Sequence, residues 1–140
     1  MTTTAVKTQA ELDAALATHG PDCDSEIIIS SPEGVWLKVG VTAAAAVIAT
    51  GSSRILAYDS ASIIAHDLTH VHTYGSARVY AYDSATIAAF DLTHVYAYGS
   101  ATVYACDSAS VTASGPRHRV HAYDSARVTA YGSASVTYSD

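Results

Sequence analysis

The sequence predicts an all-β protein, a three-sided parallel β-helix with about 24 residues per coil and a short N-terminal helical cap. Two observations lead to this fold class. Strand-forming residues recur with a strict short period, while a three-residue phrase and a set of glycines recur with a period three times longer. The apolar anchors of the short period lie eight residues apart, at Ile55, Ile63, Val71, Val79, Ile87, Val95, Val103 and Val111.

The repeating unit is an octad, typified by residues 78–85 with the sequence RVYAYDSA. In an extended strand its second and fourth residues, Val79 and Ala81, point to one side, and the first, third and fifth point to the other. The strand formers Val, Ile, Thr and Tyr are followed by Asp-Ser, Asp-Leu or Gly-Ser, which favour turns. Each octad therefore predicts one short strand followed by one bend.

The number of octads per coil is inferred from the longer period. The phrase Leu-Thr-His occupies residues 68–70 and again residues 92–94. Gly51, Gly75 and Gly99 are likewise separated by three octads each, and glycine suits a corner that needs a positive φ. A coil of two octads would stack Leu68 on Ser84 and Gly75 on Asp91, so neither repeated feature would meet its own copy. We therefore expect three octads per coil, with the three glycines at one corner.

This repeat resembles the parallel β-helix (β-solenoid) proteins over residues 39–140. With its short coils and few long loops it is similar to the bactofilin-type assembly solenoids, and that resemblance implies a structural, self-associating role. It differs from the hexapeptide acyltransferases, whose unit has six residues. It also differs from the calcium-binding nonapeptide rolls, since the sequence contains no GGxGxD.

The chain is short enough to form one continuous domain, with a cap of residues 1–38 and a repeat region of residues 39–140. Its net charge of −6 argues against a nucleic-acid partner, and its longest apolar run is too short to span a membrane. No secretory signal is visible, so the localisation is left undetermined between cytoplasmic, virion and injected proteins. Cys23 and Cys106 form neither a CxxC motif nor a disulfide framework.

The first part of the chain predicts a cap for the repeat region. Residues 8–11, with the sequence TQAE, are a capping box for a helix that ends near Gly20. We expect Leu12, Leu16 and Trp36 to cover the first coil, because a repeat array exposes its core at an uncapped end. A docking helix for a partner is the alternative.

One irregularity interrupts the repeat. The spacing of the apolar anchors rises from eight to nine between Val111 and Val120, where residues 114–118 read SGPRH. Pro116 suits a corner bulge, since proline cannot donate to a sheet ladder. A tolerated surface insertion is favoured over a binding loop.

Outward aromatic residues give one candidate ligand-binding face, for carbohydrate. Stacked tyrosines are also expected simply to protect the backbone ladders, and that structural role is favoured. A coil of three octads would also stack Ser62, Thr86, Ser110 and Ser135 into a hydroxyl face of the kind that ice binding requires, although larger residues interrupt it. The candidate residues of the aromatic face are Tyr58, Tyr80, Tyr82, Tyr96, Tyr98 and Tyr104.

The same coil would bring His70, His72, His94 and His121 together on one face. Such a cluster is a weak candidate for a transition-metal site, because imidazoles on neighbouring strands can share an ion. A stacked polar ladder is favoured, so neither a metal nor a cofactor is expected. The recurrent aspartates are interpreted as turn formers rather than calcium ligands.

No catalytic signature is visible, and the serines and aspartates belong to the repeat itself, so an enzyme is not expected and no catalytic residue is proposed. The favoured interpretation is a rigid structural module that associates with itself. Its final strand, residues 135–138, carries no charge, proline or bulge that would block an edge, which predicts a C-terminal homodimer. The surface-binding protein for carbohydrate or ice is the alternative. The candidate association surface consists of Val128, Ala130, Val136 and Tyr138.

Overall fold

The structure is a computed structural model that describes residues 2–18, 25–30, 36–39, 46–58, 62–115, 119–132 and 135–139. Within these residues the chain forms one helix and a long series of short strands. The helix is α1 (Gln9–Thr18), and the strands are β1 (Thr2–Val6), β2 (Ser25–Ile29), β3 (Trp36–Val39), β4 (Ala46–Ala49), β5 (Arg54–Ala57), β6 (Ser62–Ala65), β7 (His70–Thr73), β8 (Arg78–Ala81), β9 (Thr86–Ala89), β10 (His94–Tyr98), β11 (Thr102–Ala105), β12 (Ser110–Ser114), β13 (Arg119–Tyr123), β14 (Arg127–Tyr131) and β15 (Ser135–Ser139).

The strands form two parallel sheets that face each other across one narrow core. Sheet A has the strand order β1-β2-β4-β6-β8-β10-β12-β14, and sheet B has the order β3-β5-β7-β9-β11-β13-β15. From β3 onward, successive strands alternate between the two sheets. The predicted all-β parallel solenoid with one short helix near its N-terminus is therefore confirmed.

The predicted size of the coil is wrong. Val79 pairs with Val95, and Val95 pairs with Val111, so equivalent residues stack every two octads rather than every three. The reason is the sharpness of the bend. At the end of β8 the amide of Ala85 donates to the carbonyl of Tyr82 at 3.3 Å, which closes a tight turn and reverses the chain. The next octad consequently lies in the opposite sheet, and two octads complete a coil.

Each described corner residue, the sixth of its octad, adopts a left-handed backbone conformation. Asp91, for example, has φ of 59°, which Asp tolerates better than most residues with a side chain. Gly51 and Gly99 lie where sheet A leads into sheet B, whereas Gly75 lies at the opposite corner, so the expected single glycine corner is wrong. The corner aspartates with a positive φ are Asp67, Asp83, Asp91, Asp107 and Asp124.

The corner aspartates also connect neighbouring coils. The carboxylate of Asp91 accepts a hydrogen bond from the amide of Gly75 at 3.0 Å, and the carboxylate of Asp107 accepts one from the amide of Asp91 at 3.3 Å. The opposite corner repeats this pattern, since Asp67 accepts from the amide of Gly51 at 3.1 Å. Aspartate is thus a turn former here, and it also satisfies an amide of the preceding coil.

The core is filled by three residues of each octad. Val79 and Ala81, which were predicted to point inward, are fully buried, and the eighth residue, Ala85, is buried beside them. The inward role of this eighth position was not predicted. Only small side chains fit, because the two sheets approach closely along their whole length. Thr69 and Thr93 occupy the eighth position in two octads, where their buried hydroxyls have no hydrogen-bond partner.

The helix forms as its capping box predicts. The hydroxyl of Thr8 accepts a hydrogen bond from the amide of Glu11 at 3.2 Å, and Leu12 is fully buried against the core. The side chain of Gln9 accepts from the amide of Lys38 and donates to its carbonyl at 3.0 Å, which fastens the helix to β3. The strands of the expected cap are part of the two sheets: β1 and β2 belong to sheet A, and β3 belongs to sheet B.

The other two residues that were expected to cover the first coil are Trp36 and Leu16. Trp36 does not cover the first coil, because it lies on the outer face of β3 and is 36% exposed. The side chain of Leu16 lies outside the described part of the structure.

The single extra residue after Val111 is accommodated without breaking either sheet. Thr102 pairs with Arg119 and Ser110 pairs with Arg127, so the offset between paired residues is larger by one than in the earlier coils. Residues 116–118, which include the predicted proline bulge, lie outside the described residues.

Substituting Val95 with Asp should prevent cooperative folding. Val95 is 1% exposed between the two sheets, and an unpaired carboxylate there would cost about 3 kcal/mol or more. Thr102→Asp is the control, because Thr102 faces outward beside Arg119. Urea unfolding followed by circular dichroism would compare the two variants. Equal losses of stability would contradict the assignment of inward and outward positions.

Substituting Asp91 tests the corners. Asp91→Ala should lower the free energy of unfolding by roughly 1–2 kcal/mol, because alanine is strained at a φ of 59° and cannot accept the hydrogen bond from Gly75. Asp91→Gly removes the same hydrogen bond but relieves the strain, so it should be milder. Denaturant midpoints at constant m-value would measure both. A glycine variant less stable than the alanine variant would refute this account of the corner.

Candidate functional site

The surface of the solenoid separates its charges by position in the octad. The strands β3 to β15 contain no Asp or Glu, and their outward positions carry the basic residues and most of the histidines. The described aspartates of the repeat region all lie at the corners. Two basic or neutral faces are therefore bordered by acidic corners, even though the net charge of the chain is −6. The basic residues on the strands are Lys38, Arg54, Arg78, Arg119 and Arg127.

Outward aromatic rings stack directly on their equivalents in the next coil. Tyr80 and Tyr96 have ring centroids 5.1 Å apart with planes 12° apart, and Tyr82 stacks on Tyr98 at 5.1 Å. On sheet B, Tyr104 stacks on His121 at 5.0 Å. Because ring faces cover one another along the solenoid axis, the rings present mainly their edges and hydroxyls to solvent. Beside the corner that follows sheet B, a further column contains Tyr58, Tyr74 and Phe90.

The candidate aromatic face is divided between the two sheets. Tyr80, Tyr82, Tyr96 and Tyr98 lie together on sheet A, on two neighbouring strands and their ends. Tyr104 lies on sheet B, and Tyr58 directly follows β5 of that sheet, so the six residues do not form one surface. The groupings expected from a coil of three octads are wrong, because an offset of three octads moves a residue to the opposite sheet.

The candidate hydroxyl face is divided in the same way. Ser62 and Ser110 lie on sheet A, whereas Thr86 and Ser135 lie on sheet B. No row of these four residues exists. The expectation of a single Ser/Thr face of the kind required for ice binding is therefore wrong.

The four histidines considered as metal ligands are also separated. His70 and His72 share β7 of sheet B, His94 lies on sheet A, and His121 lies three strands away from β7. The expected convergence on one face is wrong for the same reason. Within the part of the chain that the structure describes, no group of three or more His, Cys, Asp or Glu side chains is placed to hold a metal ion.

His72 nevertheless has a specific environment. Its ring meets the ring of Trp36 edge-on at 4.8 Å, and the guanidinium of Arg54 lies 5.6 Å from the centre of the Trp36 ring. Burial lowers the pKa of His72, and the charge of His70 on the same strand lowers it further. The like charge that opposes protonation therefore comes from two residues away on one strand, and not from His94 in a neighbouring coil.

Two of the grooves that the described residues form lie beside the corners, and neither was predicted from the sequence. The larger, of about 560 Å³, lies on sheet A along Arg78, His94 and Arg127, with the serine hydroxyls of Ser76 and Ser108 at its border. The smaller, of about 190 Å³, lies on sheet B and is lined by Ser52, Arg54, Leu68 and His70.

The two grooves are related by the longer period of the sequence. The four residues that line the smaller groove recur three octads later as Ser76, Arg78, Leu92 and His94, which line part of the larger one. The repeated Leu-Thr-His phrase was the available signal. It could have been interpreted only with the coil size known, because three octads make one and a half coils.

The cysteine of the repeat region is not activated. Cys106 is unpaired and half-buried. Burial and the neighbouring carboxylates of Asp107 and Asp124 raise the pKa of its thiol. A raised pKa keeps the thiol protonated at neutral pH, so it is a poor nucleophile. Cys23 lies outside the described residues.

The candidate association surface lies on the two strands that end the sheets. Val128 and Ala130 belong to β14, and Val136 and Tyr138 belong to β15. Val128 and Val136 are only half-buried, although equivalent valines in earlier coils are fully buried, and Ala130 and Tyr138 are exposed.

Comparisons of the chain with protein families, characterised proteins and solved structures find no match. The resemblance to bactofilin-type solenoids therefore has only the solenoid architecture behind it. Among the described residues the single helix, α1, is too short to cross a membrane.

The environment of His72 predicts a pH-dependent stability. His72 binds a proton less readily in the folded chain than in the unfolded chain, where its pKa is about 6.5. The folded state is therefore favoured at neutral pH, and this advantage is lost as the pH falls below about 6.5 toward the lower folded pKa. Melting temperatures at about pH 7.5 and 5.5 should show a smaller acid-induced drop for His72→Gln than for the wild type.

His70→Gln separates the two causes. It removes the neighbouring charge but leaves His72 buried, so it should retain only part of the acid sensitivity. An acid-induced drop in His72→Gln as large as that of the wild type would contradict the assignment.

Proposed function

We propose that this chain is a non-enzymatic structural module, a rigid solenoid that associates with a second copy of itself through the coil formed by β14 and β15. The observation behind the proposal is the exposure of core positions in that coil. Val79 and Ala81 are fully buried in the middle of sheet A, whereas their equivalents, Val128 and Ala130, are partly or fully exposed. Covering these side chains stabilises the associated state through the hydrophobic effect.

Backbone pairing contributes a second driving force. β14 and β15 each have a neighbour on only one side, which leaves a row of amide and carbonyl groups without strand partners in both sheets. Such edges recruit other strands unless charge, proline or a bulge prevents it. Within β14 and β15 only Arg127 carries charge, and no proline is present.

The exposed aromatic residues of this coil suit an interface. Tyr131 is 58% exposed and Tyr138 is 66% exposed, beside the half-buried Val128 and Val136. Tyrosine is enriched in protein–protein contacts because it combines apolar area with a hydroxyl group. Val128, Val136 and Tyr138 occupy inward positions at the two open strand edges, and Tyr131 adds exposed aromatic area on the outer side of β14.

Two-fold pairing closes the assembly at a dimer. The same coil serves in both copies, so contact of one C-terminal coil with the other leaves no further free copy of that surface. At the opposite end α1 packs against β1, β2 and β3, and Gln9 binds the backbone of Lys38. These contacts oppose continued growth into a filament.

Carbohydrate binding through the tyrosines is the weaker alternative. Tyr80, Tyr82, Tyr96 and Tyr98 do share one face of sheet A. Sugar stacking, however, needs an open ring face. Tyr82 is covered on both sides, by His66 and Tyr98, and Tyr80 and Tyr96 cover one face of each other at 5.1 Å. Their arrangement supports a structural role in which neighbouring coils are held in register.

Light scattering tests the association. The wild type at high micromolar concentration should have about twice the mass of the monomer, and Val136→Lys should be largely monomeric because it places a charge in the covered patch. Thr137→Lys is the matched control, since Thr137 is the next residue of β15 and faces outward. A monomeric wild type, or a Val136→Lys variant that still dimerises fully, would reject the proposal.

A further inference from the structure

The larger groove on sheet A places basic side chains in one straight row. The registers of β8, β10, β12 and β14 align Arg78 with His94, then with Ser110 and finally with Arg127. At a strand spacing of about 4.8 Å, the two guanidinium-bearing residues are roughly 14 Å apart along the solenoid axis. The groove has a volume of about 560 Å³, which lies in the range of ligand-binding clefts.

Among the residues that the structure describes, the arginines of this row have no anionic partner. Among the described residues the one close contact between a basic and an acidic side chain joins His66 to Asp83 at 3.6 Å, and neither Arg78 nor Arg127 contacts a carboxylate in this way. No carboxylate is among the described residues that line the groove, whose other polar groups are the His94 imidazole and serine hydroxyls. Guanidinium groups that lie in one row without a counter-charge are suited to carboxylate or sulfate groups spaced along a ligand.

Acidic residues adjoin the groove at the corner, and two of their carboxylates already accept hydrogen bonds from backbone amides. Asp91 accepts a hydrogen bond from the amide of Gly75, and Asp107 accepts one from the amide of Asp91. Asp124 continues the same corner. These carboxylates limit the charge density that a ligand can have, which favours a ligand whose anionic groups are spaced along a chain.

We propose that this groove binds a linear anionic polysaccharide that lies along the solenoid axis. Arg78 and Arg127 bind carboxylate or sulfate groups of the polymer, and His94 lies between them. The hydroxyls of Ser76, Ser108 and Ser110 bind the hydroxyl groups of the sugar rings. Arg127 belongs to β14, but it occupies an outward position of that strand, whereas the proposed association covers inward positions and the strand edge. The two proposals therefore use different sides of β14.

A nucleic acid fits these observations less well. The net charge of −6 opposes a dense polyphosphate chain. Single-stranded nucleic acids also need aromatic faces on which bases can stack, and the rings of Tyr80 and Tyr96 stack on each other at 5.1 Å instead. The acidic corner beside the groove adds to the repulsion of closely spaced phosphates.

Binding of fluorescently labelled hyaluronate, a linear polysaccharide whose carboxylates are spaced one per disaccharide, tests the proposal when measured by anisotropy at about 0.15 M salt. The wild type should bind, and the double variant Arg78→Gln, Arg127→Gln should bind at least about tenfold more weakly because two charge-assisted contacts are lost. The control Lys38→Gln, Arg119→Gln removes two positive charges from sheet B and should bind like the wild type. Circular dichroism and melting temperature would verify that all variants fold.

Three results would overturn the proposal. Equal weakening in both double variants would show that binding follows net charge alone. Displacement of the polymer by free sulfate at equal charge concentration would reduce the groove to a single-anion site. Stronger competition by a single-stranded oligonucleotide would assign a nucleic acid to it. Val136→Lys should retain full binding whether or not the wild type dimerises, which keeps this test independent of the proposed association.

Discussion

The structure depends on the close approach of two parallel sheets across a core that only small side chains can fill. Each octad contributes one Val or Ile and two smaller residues to this core, such as Val79, Ala81 and Ala85. A larger residue would force the sheets apart along the whole stack, because interiors are packed at crystal-like density. The narrow core thus explains why the chain contains so much alanine and only one Trp, one Phe and one Met.

Two sheets can be this close only if the chain reverses within a few residues at every corner. A residue with positive φ closes each described turn, and aspartate fills this position as often as glycine does. Aspartate has an advantage over glycine, since its carboxylate accepts the amide of the corner one coil earlier, as Asp91 does for Gly75. The acidic corners are therefore a consequence of turn geometry, and they leave the strand faces to basic, hydroxyl and aromatic residues.

Strict stacking aligns the equivalent positions of successive coils into straight rows. Rings one coil apart lie face to face at about 5 Å, as in Tyr82 and Tyr98, which covers the ring faces between them and strengthens the stack. The same spacing holds Arg78, His94 and Arg127 in line beside a groove. The ends of such a stack differ from its middle, because inward residues there lose the neighbour that would cover them, as Val128 and Val136 do.

The sequence by itself determined the strands, the inward and outward positions and the helix. The alternation around Val79 and the capping box at Thr8 are local properties, and local physics decides them. It did not determine how many octads close a coil, because every octad has the same strand and the same bend. That number was decided by the hydrogen-bonded reversal at corners such as Asp83, a tertiary feature that places alternate octads in opposite sheets.

The number of octads per coil then sets which residues of neighbouring coils contact one another. His70 and His94 lie three octads apart, which is one and a half coils, so they face opposite sides of the solenoid. Arg78 and His94 lie one coil apart and therefore meet in the groove. Sequence alone determined which side chains point outward, and only the two-sided closure decided which of them share a surface, because a coil of two octads and a coil of three octads stack different octads on one another.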